Sequence, residues 1–313
     1  MKNVLFTDDL LALVEMPLAD VVTRADRLRR EHVGEHLELC GITNAKSGLC
    51  GEDCKFCAQS RHHAANVASH ALLSQRQLVQ AGVEAKAMGA ARFGIVTSGN
   101  RLTDQEVDTI ATAVTQLVHE VDLRVCGSLG ALDGRQLAML RSAGMSRYHH
   151  NIETSRRYYR EIVSTHDFEQ RVDTIQAARA AGLEVCSGGI IGMGETWQDR
   201  LDMAVTLREL EVDSVPINIL SPIPGTPFEH LERITAEDVV RTLAIFRIVL
   251  PDKTIKMAAG REATLGEGQI EGFKAGANGM IIGGYLTIKG AALAADKALV
   301  EEVRRVWKQS APS

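Results

Sequence analysis

At 313 residues and 34.0 kDa the chain exceeds the usual size of one domain, yet α/β barrels run to this length as a single unit. A formal charge of −5 and a pI near 6.1 give no reason to expect nucleic acid or an anionic membrane as partner, so any anionic ligand has to be met by local cations. No apolar run reaches the ~18 residues of a membrane span, and Asp8 and Asp9 interrupt the N-terminus where a signal peptide needs an unbroken apolar core, so a cytoplasmic location is expected.

From the N-terminus, the segment 8–31 reads as an amphipathic helix capping one end of the fold. Short β-branched runs then alternate with longer stretches of helical period. The runs fall at 37–43, 91–98, 123–130, 147–153, 184–191, 214–220, 254–260 and 279–286. Helices are expected at 74–89, 104–119, 133–143, 167–181, 197–210 and 235–249; several open on Ser, Thr or Asp, and Gly144 and Gly182 are the plainest stops. A further helix is expected in the tail. Eight strand and helix pairs without a Pro-rich or low-complexity linker predict an α/β fold, a single (β/α)8 TIM-type barrel domain, with a doubly wound sheet as the alternative. The expected division is a helical cap over 1–36, the barrel over 37–287 and a C-terminal helix and tail over 288–313. In a barrel, functional groups lie at the C-terminal ends of the strands or in the loops after them.

The loop after the first strand holds Cys50, Cys54 and Cys57, spaced C-x3-C-x2-C. Gly48, Gly51 and the turn-forming pair Glu52 and Asp53 argue against a helix there, so three thiolates can fold around one centre. One reading is zinc, with His62 or His63 as a fourth ligand in a structural site. The other is a 4Fe-4S cluster with one iron left without a protein ligand, and an open metal position marks chemistry.

With Phe56 just before the last cysteine, the motif resembles the signature of the radical S-adenosylmethionine superfamily. That resemblance implies an open iron chelated by S-adenosylmethionine, whose cleavage yields a 5′-deoxyadenosyl radical. The likeness extends from about residue 17 to 288: GEDCKFCAQS (51–60), YHHNIET (148–154), VCSGGIIGMGET (185–196), SVPINILSPIPGTP (214–227) and AAGRE (258–262) resemble the biotin synthases. The implied reaction is insertion of sulfur between two unactivated carbons of dethiobiotin, with sulfur drawn from an auxiliary iron-sulfur cluster deep in the barrel. The family also brings the expectation of a homodimer, of flavodoxin or ferredoxin as electron donor, and of cysteine desulfurase or another source of sulfide.

Residue by residue, the resemblance assigns Asn151 and Glu153, at the end of the fourth strand, to the ribose hydroxyls of S-adenosylmethionine; the family more often has Asp at the latter position. Gly188, Ile190 and Gly192 are assigned to close backbone approach to the adenine, with a tight barrel corner as the alternative. Asn218 matches a residue that contacts the ureido ring of dethiobiotin, and His149 stands where the family usually has another Asn.

The usual auxiliary cluster is 2Fe-2S, held by three cysteines and an arginine. Cys126, Cys186 and Arg261 match three of those positions, but the cysteine expected on the second strand is Gly94. Cys40, on the first strand, is the one cysteine left without an assignment. Side chains inside a barrel form layers drawn from alternate strands, and Cys40, Cys126, Cys186 and Arg261 come from the first, third, fifth and seventh. A swap of ligand from strand two to strand one is therefore expected, holding a 2Fe-2S cluster or a larger variant, with Arg261 as ligand or as counter-charge. The competing account makes Cys40 a small buried hydrophobe. Other functions weighed are a hydrogenase maturase or methylornithine synthase on the same barrel, sulfur insertion into a different substrate, and a zinc-binding structural protein.

Overall fold

The computed structural model describes residues 7–286 and 292–309. The expected N-terminal helix divides into α1 (Thr7–Glu15) and α2 (Leu18–His32). Pro17 separates them with φ −50° and ψ 133°: it has no N–H to continue the first helix, while its fixed φ suits the entry to the second.

The barrel begins with β1 (Glu38–Lys46), α3 (Gln75–Met88), β2 (Arg92–Thr97), α4 (Asp104–His119), β3 (Arg124–Ser128) and α5 (Gly134–Ser142). It continues through β4 (Arg147–His149), α6 (Tyr159–Ile162), α7 (Phe168–Ala180), β5 (Glu184–Cys186), β6 (Gly189–Ile191) and α8 (Trp197–Glu209). The last part is β7 (Ser214–Ile219), α9 (Ala236–Val249), β8 (Thr254–Met257), α10 (Arg261–Leu265), α11 (Gln269–Lys274), β9 (Gly279–Ile281) and α12 (Leu293–Gln309). Capping boxes at Ser74/Gln77, Thr103/Glu106, Asp133/Gln136 and Thr196/Asp199 start α3, α4, α5 and α8, each satisfying two helix-end N–H groups.

All strand pairs in the sheet are parallel, in the order β5-β4-β3-β2-β1-β9-β8-β7-β6, and a further β5–β7 pairing closes the ring. β5 and β6 are two halves of one barrel strand broken at Ser187 and Gly188, which leaves eight positions around the barrel. Helices α1 and α2 lie outside the ring, α1 against α8 and α9 and α2 against α9 and α11. Among the described residues no helix is long and apolar enough to cross a membrane.

Strand side chains alternate between faces, and here the two faces differ in chemistry. Phe93, Ile95 and Val125 point outward and are buried in the apolar core. Gly41 also faces out, where a Cβ would come within 2.9 Å of Ala85 on α3. Cys40, Ile42, Arg92, Gly94 and Cys126 point inward and line a cavity. The barrel therefore has an oily shell and an interior into which thiols and charged side chains project.

Candidate active site

All six cysteines are free and all line one cavity of about 400 Å³, a size usual for ligand pockets. Three come from the loop after β1. Gly48 (φ +73°) and Leu49 (φ +52°) turn the chain out of the strand. The loop is then pinned by Cys50 N–H donating to Gln59 O at 3.0 Å, Arg61 N–H to Cys50 O at 2.9 Å and Ser98 Oγ–H to Gly48 O at 2.9 Å. Asp53 ties it to the segment after α6, accepting from Ser164 N–H at 2.9 Å and Thr165 N–H at 3.2 Å. Burial pushes the Asp53 carboxyl up, but these donors and the Ser164 hydroxyl hold it far below the usual range.

The two histidines weighed as zinc ligands serve the loop instead. His62 Nε2 lies 2.9 Å from Gly51 O, and His63 Nε2 lies 2.9 Å from Cys54 O. Among the described residues no three His, Cys, Asp or Glu side chains gather tightly enough for a single metal ion. Burial pushes the Cys54 thiol up and drives Cys57 up to about 11, and the nearby charge of Cys50 adds to both. Buried thiols spread around a space larger than one ion fit a cluster, which binds them as thiolates and spans several ångströms.

Behind this loop stands Arg171, a cavity-lining residue absent from the sequence reading. Its Nε donates to Tyr159 Oη at 2.9 Å, and its NH2 lies 2.9 Å from His166 Nε2. His166 Nδ1 in turn lies 2.7 Å from Glu52 Oε2, so the cation is braced by the cysteine loop itself. The guanidinium also acts on the charges of Cys54 and Glu153, a counter-charge between the thiols and the end of β4.

Asn151 and Glu153 follow β4 and line the cavity. Asn151 Oδ1 accepts from Gly188 N–H at 3.1 Å and its Nδ2 donates to Glu153 Oε2 at 3.2 Å. Glu153 has φ +66°, a left-handed conformation uncommon outside glycine. Its N–H donates to Gly188 O at 3.1 Å and its O accepts from Ile190 N–H at 2.8 Å, stitching β4 to the broken strand. Burial pushes its carboxyl up against the pull of Arg171 and His149.

Of the glycine run, Ile190 lines the cavity while Gly188 and Gly192 do not. A Cβ at Gly188 would lie 2.0 Å from Pro216 O, so that glycine is required by strand packing, the tight corner. Gly192 has φ +90° and its N–H is taken by the Glu195 carboxylate at 2.8 Å. Asn218 on β7 donates to Gly189 O at 3.2 Å and accepts from Ala259 N–H at 3.2 Å. An amide carries two donor hydrogens and two acceptor lone pairs, so one of each is left for the cavity.

Of the four residues expected to hold the auxiliary cluster, three share the cavity and one does not. Cys40, Cys126 and Cys186 all line the cavity, together with Gly94 between them. A Cβ at Gly94 would meet Ile42 Cγ2 at 3.1 Å, so the space of the missing side chain is partly taken by a neighbour on β1. Arg261 does not line the cavity. It follows the end of β8, opens α10, and turns outward to donate to Asp296 Oδ1 at 2.7 Å, Ile281 O at 3.1 Å and Gln269. The cation that β8 sends inward is Lys256, whose Nζ lies 3.2 Å from Cys40 Sγ. The alternate-strand layer is therefore Cys40, Cys126, Cys186 and Lys256.

His149 Nδ1 lies 3.3 Å from Cys186 Sγ, which places this histidine beside the thiols. Burial alone pushes Cys186 up, but Lys256, His149 and Arg147 overcome it and hold the thiol down to about 6. Cys126 goes the other way, to about 11, because burial and the neighbouring Cys40 outweigh Arg147 and Arg92. Further inward charges are Arg92, Arg147 and, behind them, Glu38. The signal for them was present in the sequence, since Glu38 and Arg92 sit two residues before Cys40 and Gly94 and share their strand faces.

The family model for the radical SAM superfamily matches residues 46–207, and that for the biotin and thiamin synthesis associated domain matches 216–303. A biotin synthase of Nitratidesulfovibrio vulgaris (strain DP4) is 48% identical over 296 residues, covering 94% of this chain and 82% of that protein. One of Thermotoga petrophila is 46% identical over 297 residues, covering 95% and 98%. Among solved structures, methylornithine synthase has a TM-score of 0.79 at 18% identity, covering 97% of this chain and 92% of that one. The maturase HydG from Carboxydothermus hydrogenoformans has a TM-score of 0.80 at 18% identity, covering 95% and 75%; at such identities the likeness speaks to the barrel alone. With near full-length identity of this order and six thiols gathered in one radical SAM barrel, the chain belongs to the biotin synthase family.

Proposed function

We infer that the chain converts dethiobiotin to biotin by radical insertion of sulfur, with S-adenosylmethionine and a 4Fe-4S cluster at Cys50, Cys54 and Cys57 and an auxiliary cluster at Cys40, Cys126 and Cys186. The observation that carries this reading is the convergence of all six thiols on one barrel cavity, within a chain 48% identical to a biotin synthase. When bound, the first cluster supplies the electron that opens S-adenosylmethionine. The protein's own part is to hold the reactants close and keep water out, for which a closed barrel is suited.

Asn151 and Glu153 bind the ribose in this reading, and Ile190 packs beside the nucleoside. Gly188 and Gly192 shape the strand behind it. Asn218 presents its free donor and acceptor to the ureido ring. His149 reaches Cys186 with Nδ1 and so bridges the substrate region and the sulfur source. The auxiliary cluster is 2Fe-2S or larger, with Lys256 in the place where Arg261 was expected. We read 1–313 as one domain, because the barrel closes across the boundary between the two matched segments. We further propose a cytoplasmic homodimer served by flavodoxin or ferredoxin and by cysteine desulfurase, a dimer to be tested by analytical ultracentrifugation.

Anaerobically reconstituted protein, incubated with dethiobiotin, reductant and S-adenosylmethionine and read by mass spectrometry, is expected to yield biotin. No biotin with both clusters intact would overturn the reading. Cys40→Ala is expected to lose the auxiliary iron and sulfide while keeping the iron of the first cluster, as Mössbauer spectra would report. Full auxiliary content in that variant would return Cys40 to the role of a buried hydrophobe.

A further inference from the structure

The floor of the cavity carries an uneven distribution of charge. Arg92, Arg147 and Lys256 line the cavity, whereas Glu38 and Glu184 do not. Glu38 stands behind all three cations: its Oε1 accepts from Lys256 Nζ at 2.7 Å and Arg147 NH1 at 2.7 Å, and its Oε2 accepts from Arg92 Nε at 2.9 Å. Glu184 takes the far edges of the two arginines at 2.7 and 2.9 Å, but its side chain is 44% exposed, so solvent screens much of its charge. Three buried cations thus face the thiols with one buried carboxylate behind them. Burying cations without counter-charge is costly, and three thiolates with the sulfides of a cluster provide that counter-charge from the cavity side.

The contact between Lys256 and Glu38 crosses an intervening strand. Lys256 and Glu38 each pair in register with Gly279 on β9. A Cβ at 279 would lie 2.8 Å from Lys256 Cγ and 3.0 Å from Glu38 O. The glycine is what lets the lysine lie over β9 and reach both Glu38 and Cys40.

We propose that Lys256, the member of this floor that reaches Cys40, sets the reduction potential and the sulfide retention of the cluster bound by Cys40, Cys126 and Cys186. The proposal rests on the reading of those thiols as the auxiliary cluster site. Hydrogen bonds and charges around cluster sulfurs tune potentials and ligand release. A cation at 3.2 Å from a ligand sulfur stabilises the more negative, reduced cluster and holds anionic sulfide in place.

The test compares wild type with Lys256→Met, Lys256→Arg and Gly279→Ala, all reconstituted anaerobically and kept free of dethiobiotin. Redox titration followed by EPR and Mössbauer spectroscopy reads each cluster's midpoint potential, and acid-labile sulfide is followed in excess reductant. In Lys256→Met the auxiliary potential is expected to fall and sulfide to be lost severalfold faster, while the potential of the cluster at Cys50, Cys54 and Cys57 stays unchanged. Lys256→Arg is expected to recover both properties in large part. Gly279→Ala keeps the charge but displaces the side chain, so it is expected to shift the potential in the same direction. It also decides the matter should Lys256→Met assemble no auxiliary cluster. An auxiliary potential and sulfide retention indifferent to these changes would overturn the proposal alone. A wild type that takes up no auxiliary iron would overturn the cluster assignment and the proposal with it.

Discussion

Lys256 on β8 sets its ammonium 3.2 Å from the thiol of Cys40 on β1, although 216 residues separate them in sequence. A cysteine that stands apart from the C-x3-C-x2-C motif and a lysine from the far side of the chain are neighbours in the cavity wall. Their pairing fills the layer that was expected to hold Arg261.

Moving the thiol back to strand two is expected to be hindered by one methyl group. A Cβ at position 94 would meet Ile42 Cγ2 at 3.1 Å. Cys40→Ser with Gly94→Cys should therefore recover little auxiliary iron and sulfide, and adding Ile42→Ala should raise both. Iron and sulfide analysis of the two variants checks this. Full recovery without the Ile42 change would mean that the barrel wall yields more easily than this contact implies.

Arg261→Met is expected to act on stability and leave the clusters alone. The arginine is 1% exposed and its partner Asp296 only 2%. Removing one member of a buried pair strands the other, at a cost of about 3–5 kcal/mol. Urea denaturation should show that loss, and adding Asp296→Asn should return part of it. Iron and sulfide content should match wild type; a selective loss of auxiliary iron would restore Arg261 as a ligand.

Glu153→Ala is expected to weaken S-adenosylmethionine binding about tenfold, or ~1.4 kcal/mol, without altering dethiobiotin binding. Glu153→Asn should fold at least as well as wild type, because φ +66° at this position suits Asn better than most residues. It should also keep part of the affinity through its amide. Calorimetry with the reconstituted protein separates the two ligands, and equal weakening of both would point to a collapsed cavity.

Asp199 ties α8 to the loop after β4 by accepting from Ser155 Oγ at 2.6 Å, Thr196 N–H at 2.9 Å and Arg157 NH2 at 2.7 Å. Burial pushes its carboxyl up, but Ser155, Thr196 and Arg157 win and depress it. Its contribution is therefore fully present above the ordinary aspartate pKa of ~3.9 and lost as pH falls through the lower folded value. Asp199→Ala is expected to cost about 2 kcal/mol at pH 7. The gap to wild type should narrow in strong acid; an unchanging gap in urea denaturation would remove the charged-cap account.

Much of the fold was legible in the chain. The alternation of strands and helices, helix starts on Ser, Thr or Asp and the loop of Cys50, Cys54 and Cys57 follow from local pattern, and the structure places each close to expectation. The N-terminal segment was expected as a single helix over 8–31, whereas Pro17 divides it in two, since a helix rarely runs through a proline. Layering by alternate strands set Cys40, Cys126 and Cys186 at one level, and all three line the one cavity.

The same layering set Arg261 at a level where Lys256 instead faces the thiols. Period-two alternation says which face a strand residue occupies, but not which residue of another strand stands at the same height across a staggered barrel. Arg261 lay close in sequence to the expected level yet beyond the end of β8, where the chain turns outward into α10. Glu38 meets Arg147 from 109 residues away, and no local pattern announces such a contact. By itself, then, the sequence determined the barrel, the cysteine loop and the vacancy at Gly94, because these depend on local propensity and residue identity. Only the tertiary structure decided that Lys256 faces the thiols and Glu38 holds it there, because barrel closure and strand stagger alone bring those distant positions to one level.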